Sequence, residues 1–468
     1  MGMLQDAQIA ALSALPPSTV APVDPRRSLV VTDQAILASF SFDEFMSTLA
    51  SQSPTPITKQ VLFNQWMDTN NRKPGLALGP HCDDTVDTNG SPTVNGFVIQ
   101  CPRAEGNQIG ASAFDPSSPD SYVAVALVNR IDLASLPTQG DDCGEYRIVF
   151  AKKSGLTVEG RLNRNLVVFE GVLPNPKHNG KDLSGCVPLA QFWAGLSNIA
   201  DPAQRATQLH DFYYKGLTGF QPVVRAAAYG NASTRAKGQV RTNQFMQQNW
   251  LMRQYTLQVD SGFLKFMPMP GRNNPEGLLF NETANHAKSA DFRAAFLNVV
   301  GSLKVNDVYR FNMTALSDAF SAFDSDAQST TKTNYAKQFE SSPNFSAAIQ
   351  AKLSEGTASS LTPQDIVARA QAMSCAGCHQ LSNGASLGGG LTWPASAGFA
   401  HTPENKTEPS PDGPTGAVRY VVSPAMNELF LPRRKQVMEL FLGGSSNPGA
   451  LATLPRAKAK SSGGGHGR

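Results

Sequence analysis

Near the C-terminal end, three residues combine side chains that could hold a metal-bearing cofactor. Cys375, Cys378 and His379 form the sequence C-A-G-C-H. Two thiols at this spacing can reach the two vinyl groups of one porphyrin, and the adjoining histidine can ligate its iron. The motif therefore predicts covalently attached haem c, with electron transfer or haem-dependent redox chemistry as the function. A haem-dependent oxidoreductase would be one form of it.

Three other uses of the cysteine pair stay open. A structural zinc site needs four ligands, often from a second close pair of cysteines, and the chain has no second C-x-x-C. A thioredoxin-like dithiol lies at the start of a helix in a βαβ unit, whereas this motif follows a predicted helix. The third use is a structural disulfide between the two thiols.

The elements predicted around the motif form a small, mainly α unit, which we place at residues 361–446. The stretch LTPQDIVARAQAMS has Thr362 as an N-cap and Pro363 at the first helical position, which predicts a helix that runs into the motif. A Gly-rich coil and a polar loop follow, and LPRRKQVMELFLGG predicts a closing helix. Residues 447–468 have the composition of a flexible tail.

This unit resembles a class I c-type cytochrome domain in its order of helix, motif, long loop and helix, and in the small residues between its cysteines. The resemblance implies that His379 is the proximal iron ligand and that a downstream methionine is the second axial ligand. Met426 precedes the closing helix, as that ligand would, and His401 is the alternative. The rest of the chain resembles an uncharacterised exported bacterial protein.

Further residues of this unit could border a bound porphyrin. Gly388, Gly389 and Gly390 would let the backbone approach a flat ring closely, or form an ordinary flexible loop. Trp393 and Phe399 would be apolar neighbours of the ring, or ordinary core residues.

The other four cysteines predict an oxidising location. Cys82, Cys101, Cys143 and Cys186 are an even set, which allows two disulfides in one of three pairings. We favour Cys82–Cys101 with Cys143–Cys186, because each pair closes a loop of moderate length; four reduced cysteines are the alternative. Disulfides and attached haem both suit the periplasm or the extracellular space. The stretch MGMLQDAQIAALSALPPS lacks the basic start and apolar block of a signal peptide, so we expect no signal peptide in this sequence. Either the protein is cytoplasmic, or an export signal was removed and a start replaced.

Upstream of the motif, the pattern predicts an α+β fold, with a large mixed portion of antiparallel sheet and packed helices before the small haem-binding lobe. We expect an N-terminal extension with one helix at residues 1–55 and the α+β domain at residues 56–355. Runs rich in β-branched and aromatic residues predict strands in SYVAVALVNRIDLA, GEYRIVFAKK and RNLVVFEGVL. Helical periodicity predicts helices in VPLAQFWAGLSNI, PAQRATQLHDFYYKGL, DFRAAFLNVVGSLK and TALSDAFSAFD.

Charged residues alternate along two of the predicted strands. Arg130 and Asp132 share one face of the first strand, and Glu145 and Arg147 share one face of the second. If the strands pair, four charges meet on one sheet face, as a cross-strand ion network or as a pocket for a substrate or partner. The polar run at residues 241–244 could join them. A protein without cofactor that binds a ligand on the sheet region 121–265 is the alternative function.

The composition limits the classes of partner that the protein is expected to bind. The net charge is only +3, which does not suggest nucleic acid, and no run of 18 apolar residues is present to span a membrane. We therefore expect a redox partner protein rather than nucleic acid, and no transmembrane segment. The stretch HCDDTVDTNG has the Asp and Asn density of a calcium loop without the EF-hand pattern, and a simple turn is the alternative.

Overall fold

The computed structural model describes residues 23–76, 78–134, 141–156, 163–177, 183–230, 238–356 and 359–443. Helices surround a large antiparallel sheet, which confirms the α+β prediction. None of the described helices combines the length and apolar character that a membrane crossing requires.

Twelve strands are present in the described ranges. They are β1 Val30–Val31, β2 Thr93–Val94, β3 Phe97–Val98, β4 Tyr122–Arg130, β5 Asp142–Lys152, β6 Arg164–Pro174, β7 Gln239–Phe245, β8 Leu251–Asp260, β9 Phe263–Met269, β10 Ser325–Asp326, β11 Thr407–Pro409 and β12 Val418–Tyr420. The main sheet has eight strands in the order β1-β4-β5-β6-β7-β8-β10, with β9 also paired to β8. Every neighbouring pair in it is antiparallel.

The same ranges contain twelve α-helices. They are α1 Pro25–Ser28, α2 Gln34–Leu37, α3 Phe42–Ala50, α4 Lys59–Asp68, α5 Val187–Gly195, α6 Pro202–Tyr214, α7 Ser289–Leu297, α8 Val300–Lys304, α9 Tyr335–Phe339, α10 Pro343–Ser354, α11 Pro363–Met373 and α12 Leu431–Phe441. Two π-helical turns, Gly377–Leu381 and Met426–Phe430, directly follow α11 and directly precede α12.

The two faces of the central strands β5 and β6 have different surroundings. One face of β5 and β6 carries aromatic side chains that pack on α3, where the Phe45 ring centroid lies 5.2 Å from that of Phe150 and 4.4 Å from that of Phe169. The other face carries Glu145 and Arg147 on β5 and Glu170 on β6, and it lines a large cavity. The alternation expected for β5 therefore separates an apolar core from a polar wall.

The three strands predicted from residue 121 onward are confirmed as β4, β5 and β6. The single helix expected near residues 33–52 is wrong: Ser41 caps a second helix, its hydroxyl accepting from the Glu44 N–H at 3.0 Å, and divides α2 from α3. The helix predicted in TALSDAFSAFD is also wrong, because only a 3-10 turn forms at Asp318–Phe320.

Both disulfides form in the predicted pairing. Cys82 is bonded to Cys101, with 5.7 Å between the Cα atoms, and Cys143 is bonded to Cys186, with 5.3 Å between them. Cys143 lies on β5 and Cys186 immediately precedes α5, so the second bridge ties this helix to the main sheet.

Two hydrophobic cores hold the molecule together, and the C-terminal segment contributes to both. Helix α11 packs into a helical core built mainly from residues 279–353. Residues of α12, with Met426, pack into the core beside the main sheet. The described part of residues 361–446 thus shares its apolar contacts with upstream elements, and a separate cytochrome-like lobe is not apparent. Upstream, β1 and α3 of the expected N-terminal extension are likewise built into the sheet core.

Candidate functional site

The C-x-x-C-H motif lies at the end of α11, where the chain widens into a π-helical turn. A capping box begins this helix, with the Thr362 and Asp365 side chains each accepting from the other's backbone N–H, as the sequence predicts for Thr362. Gly377 has no room for a side chain, because a Cβ there would lie 1.7 Å from the Gln371 carbonyl oxygen. The close approach explains why glycine stands between the cysteines.

Hydrogen bonds from upstream residues fix the turn. The Ser374 hydroxyl donates to the Gln371 carbonyl at 2.7 Å and accepts from the Gly377 N–H at 3.0 Å. The Ala376 N–H donates to the hydroxyl of Ser325 on β10 at 2.9 Å, which ties the motif to the edge of the main sheet. The sheet and α11 therefore position the motif jointly.

His379 is held in the tautomer that a metal ligand needs. Its Nδ1–H donates to the Phe399 carbonyl at 2.8 Å, which leaves the lone pair of Nε2 available. The ring also stacks on Trp250, with 5.5 Å between the centroids. Burial lowers the pKa of His379 to about 4, so the imidazole is neutral near pH 7.

Phe399 supplies this carbonyl from an unusual backbone conformation. Its φ is +64°, a left-handed value that is rare for a bulky residue. Its ring stacks on Trp250 at 5.8 Å between centroids, and its carbonyl also accepts from the Asn243 amide at 3.3 Å. The residue that orients His379 is therefore itself fixed by a ring and by a β7 side chain.

The two motif thiols are free and face the cavity. Cys375 and Cys378 are partly exposed and are not bonded to each other in this structure. Burial raises the pKa of both thiols, that of Cys378 to about 12, so neither is a ready thiolate near neutral pH.

Both candidate second ligands lie around the same cavity as His379. His401 Nε2 is 3.2 Å from the Cys378 sulfur, and the ring centroids of His401 and His379 are 4.7 Å apart. Met426 is 4% exposed and lines the cavity from the second π-helical turn. The Ser423 hydroxyl joins the two, since it lies 2.9 Å from His401 Nδ1 and accepts from the Met426 N–H at 3.2 Å.

The cavity has a volume of about 1050 Å³, at the upper end of the range for small-molecule sites. The motif, His401 and Met426 form one wall, which we call the motif wall. The polar face of β4, β5, β6 and β7 forms another wall, which we call the sheet wall. In the described ranges, no group of three or more His, Cys, Asp and Glu side chains is arranged to bind a metal ion by itself.

The sheet wall is an ion-pair network. The predicted alternation of charges holds on β5, but it is wrong for Asp132, which lies in the 3-10 turn Ile131–Leu133 after the end of β4. Arg130 pairs with Asp132 through two contacts of 2.8 and 2.9 Å. Arg147 lies 2.5 Å from Glu145 and 3.3 Å from Glu170. Burial opposes ionisation of Glu170, but Arg147 and Arg241 lower its pKa well below the usual range. The charges expected from β4 and β5 do meet, and β6 and β7 extend them.

The Gly-rich loop does not border the cavity as one interpretation of the sequence had it. Gly388 packs against the start of α11, where a Cβ would lie 2.4 Å from Asp365, and its carbonyl accepts from Arg369 at 3.3 Å. Trp393 is a core residue, 6.1 Å from Phe430 between ring centroids. Of the proposed ring neighbours, Phe399 alone reaches the site, through its carbonyl.

The stretch HCDDTVDTNG forms a turn. The Asp87 carboxylate accepts from the N–H groups of Asn89 at 2.9 Å and Ser91 at 2.8 Å, so this acidic residue closes the turn with its own backbone neighbours. Two histidines elsewhere in the chain have local contacts: His210 lies 3.1 Å from Glu44, and His286 stacks on Phe97. His178 lies outside the described residues.

Comparison with protein families, with curated proteins and with solved structures finds no match for this chain. The resemblance of residues 361–446 to a class I cytochrome thus stays a prediction from the motif and its setting.

Proposed function

We propose that the protein carries haem c, attached to Cys375 and Cys378 and ligated by His379, and that it functions in electron transfer or haem-dependent redox chemistry. The observation that carries the proposal is the state of His379. Its Nδ1–H is committed to a backbone carbonyl, its imidazole is neutral, and it lies beside two unpaired thiols on a large cavity. These features fit a haem site better than a redox dithiol, which needs no such histidine.

When bound, haem supplies an iron centre whose potential depends on the axial ligands and on burial. The chain holds the proximal imidazole rigidly, because Phe399 accepts from Nδ1 and Trp250 stacks on the ring. Trp250 and Phe399 thereby exclude water from one side of His379. The ion pairs of the sheet wall place fixed charges on the same cavity as the motif. Such charges would tune the reduction potential of the iron.

We propose Met426 as the second axial ligand. Two imidazoles on opposite sides of one metal would have bonds of about 2 Å each, and each ring centre lies about 1 Å beyond its nitrogen, so the ring centres would be about 6 Å apart. The His379 and His401 centroids are 4.7 Å apart, and His401 points its Nε2 at the Cys378 sulfur instead. This geometry suits a histidine beside the attachment point better than one across the ring.

An exported location is part of the proposal. The two disulfides are of the kind found in oxidising compartments, and the periplasm or the extracellular space would satisfy them. We expect a redox partner protein there to exchange electrons with the haem.

The test is expression with a secretion signal in a host that matures c-type cytochromes, followed by absorption spectroscopy. We expect a Soret band that remains with the protein after acid–acetone extraction, and its loss in the double variant C375A/C378A. The matched control is C143A/C186A, which removes the same number of thiols away from the motif and leaves the Soret band in the protein that folds. M426A should shift the reduced spectrum to that of a five-coordinate haem, whereas H401A should not.

The sheet wall favours a second function, a protein without cofactor that binds a polar ligand in the cavity. This function is supported by the position of the sheet wall, which is built from the predicted sheet region and faces the cavity. A colourless protein after expression in a maturing host would favour this function and reject the first.

A further inference from the structure

Arg434 is a buried cation that the sheet wall does not neutralise. It is 6% exposed, lines the cavity from α12, and its Nη1 has no hydrogen-bond partner among the described residues. The nearest acidic group is Asp132, 3.9 Å from Nε, and Arg130 already holds that carboxylate through two contacts. A buried charge without a close partner is costly, so such a residue usually serves an anion.

The surroundings carry a surplus of positive charge. Among the described residues, six arginines and four acidic residues line the cavity: Arg130, Arg147, Arg241, Arg272, Arg310 and Arg434, with Asp132, Asp142, Glu145 and Glu170. Arg147 and Arg241 share Glu170, and Arg147 also pairs with Glu145. The described residues that line the cavity therefore include more guanidinium groups than carboxylates.

This surplus lies close to the motif wall. The Arg434 guanidinium lies 5.6 Å from the Phe430 ring centroid, and that ring meets His401 edge-on at 5.5 Å. Burial, His379 and then Arg434 lower the pKa of His401, which shows that the arginine acts on this side of the cavity. An anion beside Arg434 would lie within the same cavity as His379 and His401.

We propose that Arg434, with the guanidinium groups of the sheet wall, binds a carboxylate inside the cavity beside the C-x-x-C-H motif. Guanidinium matches a carboxylate through paired hydrogen bonds. The carboxylate has two chemical sources: a propionate of the haem proposed above, or a separate small carboxylic acid. The first source rests on the proposed function, whereas the second does not.

The test measures the thermal unfolding midpoint of the full chain with succinate as the probe, against sodium chloride at equal ionic strength. Protein made with and without haem maturation is compared for the wild type, R434Q and R433Q. Arg433 is the matched control, because it is equally buried at 7% on the same helix but contacts Tyr309 and does not line the cavity. Acid–acetone extraction of the matured protein tests haem attachment independently.

We expect succinate to raise the midpoint of the unloaded wild type and of R433Q, and to bind R434Q about 30-fold more weakly or not at all. R434Q alone should leave the unloaded midpoint unchanged or raise it, since it removes an unpaired buried charge, whereas R433Q should lower it. If haem loading abolishes the succinate effect, the carboxylate is a propionate; if the effect persists, it belongs to a second molecule. No succinate effect on the wild type, or an equal effect on wild type and R434Q, would overturn the proposal, whatever the extraction shows.

Discussion

The two walls of the cavity are built by opposite means. The motif wall uses neutral groups fixed by backbone contacts: a glycine against a carbonyl, and an imidazole donating to another carbonyl. The sheet wall uses full charges fixed by one another, with Glu170 between two arginines. A wall of neutral groups can bind a metal-bearing ring through sulfur and nitrogen, whereas a charged wall recognises ionised groups. In one cavity, one part of the chain can therefore ligate a metal-bearing group while another part binds ionised groups.

The largest expected loss of stability comes from breaking the sheet wall at its centre. E170Q removes the buried carboxylate that Arg147 and Arg241 share, leaves Arg147 with Glu145 alone and Arg241 without the carboxylate it pairs with, and should lower the free energy of unfolding by about 3–5 kcal/mol. E145Q is the matched control, because Glu145 is partly exposed and serves one arginine. Urea unfolding of both variants measures the difference, and equal losses would mean that Glu170 has no central role.

A substitution that disturbs the packing of the motif wall should lower the free energy of unfolding by somewhat less than E170Q does. G377A places a methyl group 1.7 Å from the Gln371 carbonyl oxygen, so the turn must shift, and we expect a loss of about 3 kcal/mol together with poor haem attachment. G195A is the control, since nothing lies within 4 Å of a Cβ at that helical position. If G377A unfolds at the same urea concentration as G195A, the close approach is not structural.

In the protein without haem, the pH dependence of the free energy of unfolding should distinguish the contribution of the motif wall from that of the sheet wall. The pKa of His379 is lowered in the fold, so its contribution is lost as pH falls from the usual histidine value near 6.5 towards about 4. The pKa of Glu170 is also lowered, so its contribution persists to lower pH and is lost only below the usual glutamate value near 4.5.

H379Q should therefore flatten the curve of unfolding free energy between about pH 6.5 and 4, and E170Q should flatten it below about pH 4.5. Urea unfolding at a series of pH values measures both segments. If E170Q flattened the curve between about pH 6.5 and 4, or H379Q flattened it below about pH 4.5, the assignment of each pH range to one wall would be wrong.

The smallest effect concerns the residue that joins the candidate ligands. S423A removes the contact to His401 Nδ1 and the acceptor for the Met426 N–H, and should cost about 1 kcal/mol. In the haem-loaded protein it should also weaken the Met426 bond to iron, seen as partial loss of the six-coordinate reduced spectrum. An unchanged spectrum would place Ser423 outside the ligand shell.

The motif and its helix could be predicted from sequence because they are local. Thr362 and Pro363 mark a helix start by residue type alone, and the C-x-x-C-H spacing is contained in five residues. The charge alternation predicted half of the sheet wall for the same reason. Pairing Cys82 with Cys101 also needed only loop length.

The rest depends on contacts between distant segments. Glu170 gave no signal beyond its strand, and its role appears only when β5, β6 and β7 are in register. Phe399 looked like a ring neighbour, yet its carbonyl orients His379. Arg434 belongs to the basic run of the predicted closing helix, and only its burial in the fold distinguishes it from a surface charge.

The most direct test of the central claim is the intact mass of the matured protein under denaturing conditions. We expect a mass increase of one haem per chain, located by proteolysis on the peptide that contains Cys375 and Cys378. A chain without added mass, with these two cysteines oxidised to each other, would contradict the haem assignment and leave the cavity as a binding site without a cofactor.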